Sequence, residues 1–461
     1  MAIQQDTIIA PATAPGESAI AVVRMTGIRA IGIADEMFRG KLLAKCASHT
    51  AHFGTMQDDE GGIIDEVVCT VFKAPNTYTG EDIVEISCHG SDYIVQRIIE
   101  RGIALGARMA TAGEFTMRAF LNGKMDLSQA EAVSDLIAAE SRASHLQAMH
   151  QLRGGFATKI GELRTSLMHF ASLLELELDF GEEDVEFADR TELLQLLEEI
   201  KTGVHHLKQS FHLGNVIKKG VATAIVGRPN AGKSTLLNRL LNEDRAIVSD
   251  IAGTTRDTIE ERLTIDELVF RIIDTAGLRR TQDEIESIGV QKARSAIQKA
   301  QLVLYLFDVV SATPEQLKSD LEELTLKDQK LIILANKIDE FEGDLELFEA
   351  VTEPLDEVEF MGISAKKDLQ VDTLKYVMYH TIVGDKDNIN ASMVTNMRHF
   401  EALERSYGDL ERAEEGIHAG LSMDFVAMDI RQAIHHLGYI SGEISTEDLL
   451  GNIFSKFCIG K

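Results

Sequence analysis

The chain has 461 residues, 44% of them hydrophobic. That is too long for one core, so two to four domains are expected. The formal net charge is 46 − 74 = −28, which argues against broad nucleic-acid affinity, although a local basic patch on an acidic molecule remains open. Cys46, Cys69, Cys88 and Cys458 are scattered with no CxxC pair, against both a disulfide framework and a structural zinc site. With no apolar run long enough to span a bilayer and no basic, apolar leader, the expected location is the cytoplasm, without a membrane.

Residues 1–118 mix short β-branched runs (AIAVVRM at 19–25, EVVCTVF at 66–72, DIVEIS at 82–87) with a helical stretch from Tyr93 to about Leu105. That combination predicts an α/β or α+β domain. From about Met125 to Phe211, Leu, Ala, Glu and Gln recur at helical spacing without proline, broken by the acidic stretch DFGEEDVEFADR (179–190), which reads as a loop. Residues 218–384 alternate apolar strands (VATAIVG, VFRIIDTAG, LVLYLFDVV, LIILANK) with helical segments, the pattern of a mainly parallel sheet. Helical character returns over 385–461. The expected organisation is 1–118, a helical domain split into 119–217 and 385–461, and an inserted domain, 218–384.

Four motifs fall at strand ends of the inserted domain. GRPNAGKS (Gly227 to Ser234) stands between a strand and a helix, where a glycine-rich turn exposes backbone N–H groups to phosphates. Asn230, Ala231, Gly232, Lys233, Ser234 and Thr235 are the candidate phosphate residues, with Lys233 a point charge for the β and γ phosphates and Ser234 a hydroxyl for magnesium. Asp274, Thr275, Ala276 and Gly277 (DTAG) put a carboxylate near that ion and a Gly N–H near the γ-phosphate. In NKID, Asn336, Lys337 and Asp339 suit guanine, because the Asp339 carboxylate accepts from N1–H and N2–H₂, donors that adenine lacks in that arrangement. Ser364, Ala365 and Lys366 offer a backbone N–H to guanine O6. Together they predict a Ras-like P-loop G domain.

DIAGTTRD (Asp250 to Asp257) occupies the switch I position, and with GRPNAGKS and DTAGLR it resembles the TrmE–Era–EngA branch of GTPases. The flanks PNTYTGEDIVEISCHG (75–90), AFLNGKMDLSQAEAVSDLI (119–137) and FCIGK (457–461) resemble the MnmE (TrmE) family of tRNA-modification GTPases over essentially the whole chain. The resemblance implies an N-terminal tetrahydrofolate-binding and dimerisation domain, a split helical domain and an inserted G domain. It also implies a homodimer that works with the FAD-dependent protein MnmG in a heterotetramer or larger complex on tRNA. That complex adds an aminomethyl-type group to C5 of the wobble uridine, with a one-carbon unit from a tetrahydrofolate derivative and with GTP hydrolysis. The alternative class is a ribosome-assembly switch of the Era or EngA kind, which would carry a KH domain with a GXXG loop or a second G domain; residues 385–461 show neither.

Many GTPases place glutamine directly after DTAG to orient the attacking water; here Leu278 stands there. By resemblance, Glu286 orients the water and a potassium ion replaces an arginine finger. Asn230 would be its side-chain ligand, with backbone oxygens from Ser249, Ile251 and Thr254, while Thr255 joins Ser234 on magnesium. Ser249, Asp250, Ile251, Ala252, Gly253, Thr254 and Thr255 thus complete the candidate GTP site. Spacing alone favours a solvated helix-face carboxylate at Glu286, and the resemblance reverses that; Arg256 and Arg279 read as fingers in cis or as structural partners of nearby acids.

Arg24, Glu85, Lys124 and Lys461 read as ordinary surface charges; the resemblance makes them folate contacts. A carboxylate suits pterin N–H donors, and cations suit a glutamate tail or formyl oxygen. Cys458 has two readings, a small buried residue or a nucleophile or one-carbon acceptor.

Overall fold

The computed structural model describes residues 6–180, 190–243, 261–273, 294–324, 326–327, 329–355, 358–384 and 393–461. They group into two units: Met1–Ser134 with Gln151–Lys201 and Arg405–Lys461, and Asp135–His150 with Thr202–Glu404.

The first unit contains a seven-stranded sheet among the described residues: β1 (Ile8–Pro11), β2 (Ser18–Thr26), β3 (Phe38–Arg39), β4 (Thr50–Gln57), β5 (Ile63–Phe72), β6 (Ile83–Gly90) and β7 (Arg108–Met109), in the order β3-β4-β5-β6-β2-β1-β7. Neighbours run antiparallel except β1 and β7. The alternation of β6 sets its faces: Val84, Ile86 and Cys88 point into the core, while Glu85, Ser87 and His89 do not. That core holds Met25, Ile33, Met37, Val71 and Ile98, the last from the helix Asp92–Ala104. All four cysteines are free thiols. Burial, helped by Asp35, pushes Cys69 up to about 12, and burial with Asp65 pushes Cys88 up to about 11, so neither ionises near neutrality.

The C-terminal helices belong to the same unit. Helix Met423–Ser441 packs against helix Gly155–Phe180, and Lys201 reaches Glu414 at 2.6 Å. Helix Glu447–Phe454, N-capped by Thr446, brings Leu450, Phe454 and Phe457 onto Leu127 and Ala130. Beyond it the chain returns to the sheet domain. Ile459 bridges Ala112, Gly113 N–H donates to the Cys458 carbonyl, and Phe115 N–H donates to Lys461 O at 3.2 Å. Gly460 is required there: its φ is +95°, and a Cβ would run into the Pro11 carbonyl. The described part of 393–461 contains helices and no strand. The expected boundary at 118/119 falls inside the helix Glu114–Leu121, and that at 217/218 inside Phe211–Lys219.

The second unit holds a six-stranded sheet among the described residues: β8 (Val221–Val226), β9 (Glu261–Ile265), β10 (Leu268–Ile272), β11 (Leu302–Asp308), β12 (Lys330–Asn336) and β13 (Val358–Ile363), in the order β13-β12-β11-β8-β10-β9. Only the β9–β10 pair is antiparallel. Strands β8, β11 and β12 read as unbroken apolar runs because both faces are covered. Leu302, Leu304, Leu306, Ile332 and Leu334 fill one core with Leu236 and Leu240 of helix Lys233–Glu243. Val303, Tyr305, Phe307, Ile333 and Ala335 fill the other with Leu317 of helix Pro314–Glu323 and with Phe348.

A buried ionic network fixes the start of helix Glu114–Leu121. Arg118, 4% exposed, reaches Asp6 at 2.6 Å and Glu114 at 3.1 Å, and Arg108 reaches Glu114 at 2.6 Å. Burial alone would raise the Glu114 carboxyl; hydrogen bonds from Arg108, Thr111 N–H and Arg118 outweigh it and hold the group at about 2. A carboxyl depressed in the fold adds stability above its ordinary value of 4.5, lost as pH falls through about 2. Glu114→Gln should therefore cost about 3 kcal/mol at neutral pH, because it leaves the buried Arg118 guanidinium and the partly exposed Arg108 short of charge. Acid titration of the melting temperature should show a shallower fall between these pH values than in the wild type; an unchanged acid limb would refute this assignment.

Candidate functional site

The glycine loop leaves β8 at Gly227, whose φ of +141° and contact with the Leu306 carbonyl exclude any side chain. Asn230 sits at the exposed loop apex with a left-handed backbone, φ +62°. Lys233 opens the following helix and folds back, its Nζ donating to the Gly227 and Arg228 carbonyls at 2.7 Å each. Burial pushes that amine down from its ordinary value. Ser234 and Thr235 follow on the exposed side of the helix start.

Asn336 ends β12 and is 3% exposed. Its Nδ2 donates to the Ala231 carbonyl at 2.7 Å, and its Oδ1 accepts from Ala365 N–H at 3.1 Å. One carboxamide thus ties the glycine loop to the Ser364–Lys366 turn. Lys337, left-handed at φ +69°, reaches Asp308 at 2.6 Å. Burial raises the Asp308 carboxyl, but Lys337 and nearby donors outweigh this and hold it low. Asp339 lies exposed in the turn Ile338–Glu340, and Lys366 stands 3.5 Å from Glu340. The structure therefore brings Asn230 to Thr235, Asn336, Lys337, Asp339 and Ser364 to Lys366 to one end of the sheet, at the carboxyl ends of parallel strands. Ser249, Asp250, Ile251, Ala252, Gly253, Thr254, Thr255, Asp274, Thr275, Ala276, Gly277, Leu278 and Glu286 lie outside the described residues, as do Arg256 and Arg279 and most of the acidic stretch 179–190.

Sequence reading missed the support behind the glycine loop. Arg228 makes a forked pair with Asp320, Nε and Nη2 each at 2.7 Å, and Asp320 also accepts the buried Tyr305 hydroxyl. Partners 92 residues apart carry no local signal.

In the first unit Arg24 and Glu85 face each other across β2 and β6 and pair at 2.8 Å. The Arg24 guanidinium lies 5.8 Å from the Tyr78 and Phe115 ring centres, and it donates to the Gly460 carbonyl at 3.4 Å. Burial pushes the Tyr78 hydroxyl up, against smaller opposing effects of Thr116 and Arg24. Lys124 joins the same 75–82 turn through a 2.8 Å bond to the Pro75 carbonyl. The Lys461 main chain is anchored on Phe115. Cys458 is exposed, which corrects its reading as a small buried residue: its main chain docks on Gly113 while the thiol faces outward. Among the described residues no helix is long and apolar enough to cross a membrane.

A mainly parallel sheet that presents a glycine loop, an NKID turn and a Ser-Ala-Lys turn at adjacent strand ends defines a guanine-nucleotide-binding P-loop domain. The family model for the GTP-binding protein TrmE N-terminus matches residues 7–124, and that for the MnmE helical domain matches residues 127–458. The tRNA modification GTPase MnmE of Cytophaga hutchinsonii is 51% identical over 99% of this chain and 98% of its own length. Those of Flavobacterium johnsoniae and Christiangramia forsetii are each 50% identical, over 100% and 99% of both chains respectively. The chain belongs to the MnmE family of tRNA modification GTPases.

The Asn336 carboxamide gives a direct test of how the loops are held. Asn336→Ala should leave a buried carbonyl and a buried N–H without partners and cost about 2–4 kcal/mol. GTP affinity should fall with it. Calorimetry showing wild-type affinity and stability would remove Asn336 from this role.

Proposed function

We propose that this chain hydrolyses GTP as the nucleotide-dependent component of a complex that modifies C5 of the wobble uridine in tRNA, with the one-carbon unit drawn from a tetrahydrofolate. The observation that carries the nucleotide part is the Asn336 bridge, which holds the glycine loop and the guanine-facing turn together. Lys233 and the N–H groups of residues 230–235 hold the phosphates, Asp339 accepts from guanine N1–H and N2–H₂, and the Ser364–Lys366 turn borders guanine O6.

Among the described residues, Ser234, on the exposed start of its helix, and Asn230, at the exposed loop apex, suit two cations. By family resemblance Ser234 and Thr255 would hold magnesium, which supplies charge to the phosphates, and Asn230 with the Ser249, Ile251 and Thr254 carbonyls would hold potassium, which stands in for an arginine finger. Glu286 then orients the attacking water, a task that Leu278 cannot perform.

The first unit's cluster suits a folate. Glu85 spends Oε1 on Arg24 and keeps Oε2 for pterin N–H donors; Tyr78, 36% exposed, offers an aromatic ring, and Arg24, Lys124 and Lys461 offer charge to carboxylate or formyl oxygens. Cys458, exposed beside this cluster in sequence, is the candidate one-carbon acceptor. The assembly is a cytoplasmic homodimer, joined through the N-terminal domains, acting with the FAD-dependent partner MnmG on tRNA.

Turnover separates this reading from its rivals. KCl should stimulate GTP hydrolysis strongly over matched NaCl, by a factor approaching the ~10³–10⁵ attributed to an arginine finger, and Asn230→Ala should lose most of that response. Equal rates in the two salts would end the potassium assignment. Asp339→Asn should shift preference from GTP to xanthosine triphosphate, since an amide donates where the carboxylate accepts; unchanged selectivity would exclude Asp339 from the base site.

A further inference from the structure

Tyr305 stands opposite Val226, the last residue of β8, across the β8–β11 pair. The glycine loop begins at the next residue, and its exit is pinned there because Gly227 lies against the Leu306 carbonyl. Tyr305 is 4% exposed. Its hydroxyl donates to the Asp320 carboxylate, and Asp320 also accepts the Arg228 fork, at 2.7 Å from each nitrogen. Strand β11, helix Pro314–Glu323 and the second residue of the loop therefore close a ring around the strand end.

The helix is itself fixed. Thr313 and Gln316 form a reciprocal capping box at its start, and Leu317 is buried in the same core as Tyr305. Asp320 follows three residues later, on the same face. An ordinary exposed ion pair contributes little, because two long side chains must be ordered to form it. Here the bonds are forked, the Asp320 side chain is only 21% exposed, and a buried hydroxyl already holds the carboxylate in place. Burial raises the Asp320 carboxyl, but Arg228 and Tyr305 outweigh this and hold it below its ordinary value. The pair therefore keeps its charge at neutral pH.

What this clamp positions is a carbonyl. Arg228 O accepts Lys233 Nζ at 2.7 Å and Ala231 N–H at 3.4 Å, and Gly227 O accepts Nζ as well. Moving residue 228 would move the ammonium that serves the β and γ phosphates. The Asn336 anchor acts elsewhere: it takes the Ala231 carbonyl and reaches the Ser-Ala-Lys turn at the same time, so it touches both the phosphate side and the base side. Asp320 bonds Arg228 and Tyr305, and its influence falls on the phosphate side.

We infer that Asp320, backed by Tyr305, is a positioning residue for phosphate recognition: through Arg228 it holds the glycine loop, and with it Lys233, in the binding conformation before nucleotide arrives. This rests on the nucleotide reading above. Lys233 serves the β and γ phosphates and not the α, so the effect must depend on the length of the phosphate chain. In full-length Asp320→Asn the loop should be competent about a tenth of the time, and affinity for GDP and GTP should fall about tenfold. GMP affinity, read like the others by competition against a fluorescent GDP, should stay within about twofold. Tyr305→Phe removes one bond and keeps the fork, so GDP should weaken only about threefold. Arg228→Ala should match Asp320→Asn, and the double variant should lose no more than either alone. Unchanged GDP affinity in Asp320→Asn, or equal losses for GMP and GDP, overturns the inference. Tighter GTP binding also overturns it, since Asp320 would then be withholding the Arg228 charge from the phosphates. A wild-type chain that binds no guanine nucleotide refutes the nucleotide reading and this inference with it.

Discussion

The Asn336 carboxamide holds two loops of the second unit to one strand end. It ends a strand packed on both faces, so its position is set before any loop is considered. Its buried amide spends one N–H on the glycine loop and its oxygen on the Ser-Ala-Lys turn. Gly232 follows from the same demand, because a Cβ there would collide with the Asn336 amide nitrogen. The accuracy of the site thus comes from a rigid strand end, and the loops borrow it.

Cations in this acidic chain are placed by carboxylates. Arg24 faces Glu85, Arg228 is forked on Asp320, and Lys337 lies on Asp308. These three positive groups are therefore oriented before a ligand arrives, which reduces the ordering that binding must supply. Lys233 is different. Its partners are two neutral carbonyls, and burial disfavours its charge. An anion there gains the Coulombic attraction that the fold leaves unused.

Much of this was legible in the sequence, for physical reasons that also mark where legibility stops. VATAIV, LVLYLFD and LIILAN announced β8, β11 and β12 because burial on both faces leaves no polar positions. The helix expected from Tyr93 to Leu105 spans Asp92–Ala104. β4 went unread because TAHFGTMQ has few β-branched residues and a mid-strand glycine, and the two-residue β3 and β7 have no pattern to detect. At the sites, motifs gave the identity of Lys233, Asn336 and Asp339, but not the Asp320 support or the aromatic rings beside Arg24. Helical periodicity in Asp135–His150 told which residues face inward and was silent about which domain they face.

The docking of the C-terminal segment on the first sheet sets a clock on synthesis. Arg24 is translated early, and the carbonyl it bonds belongs to a residue 436 positions later. At ribosomal speeds of about 5–20 residues per second, roughly 20–90 seconds separate the two. During that interval the sheet can fold, but the contacts made by residues 458–461 do not yet exist. A nascent chain stalled anywhere in the helical or nucleotide-binding segments would therefore carry a folded sheet whose Arg24 guanidinium still lacks its Gly460 partner, and that contact would wait for the whole polypeptide.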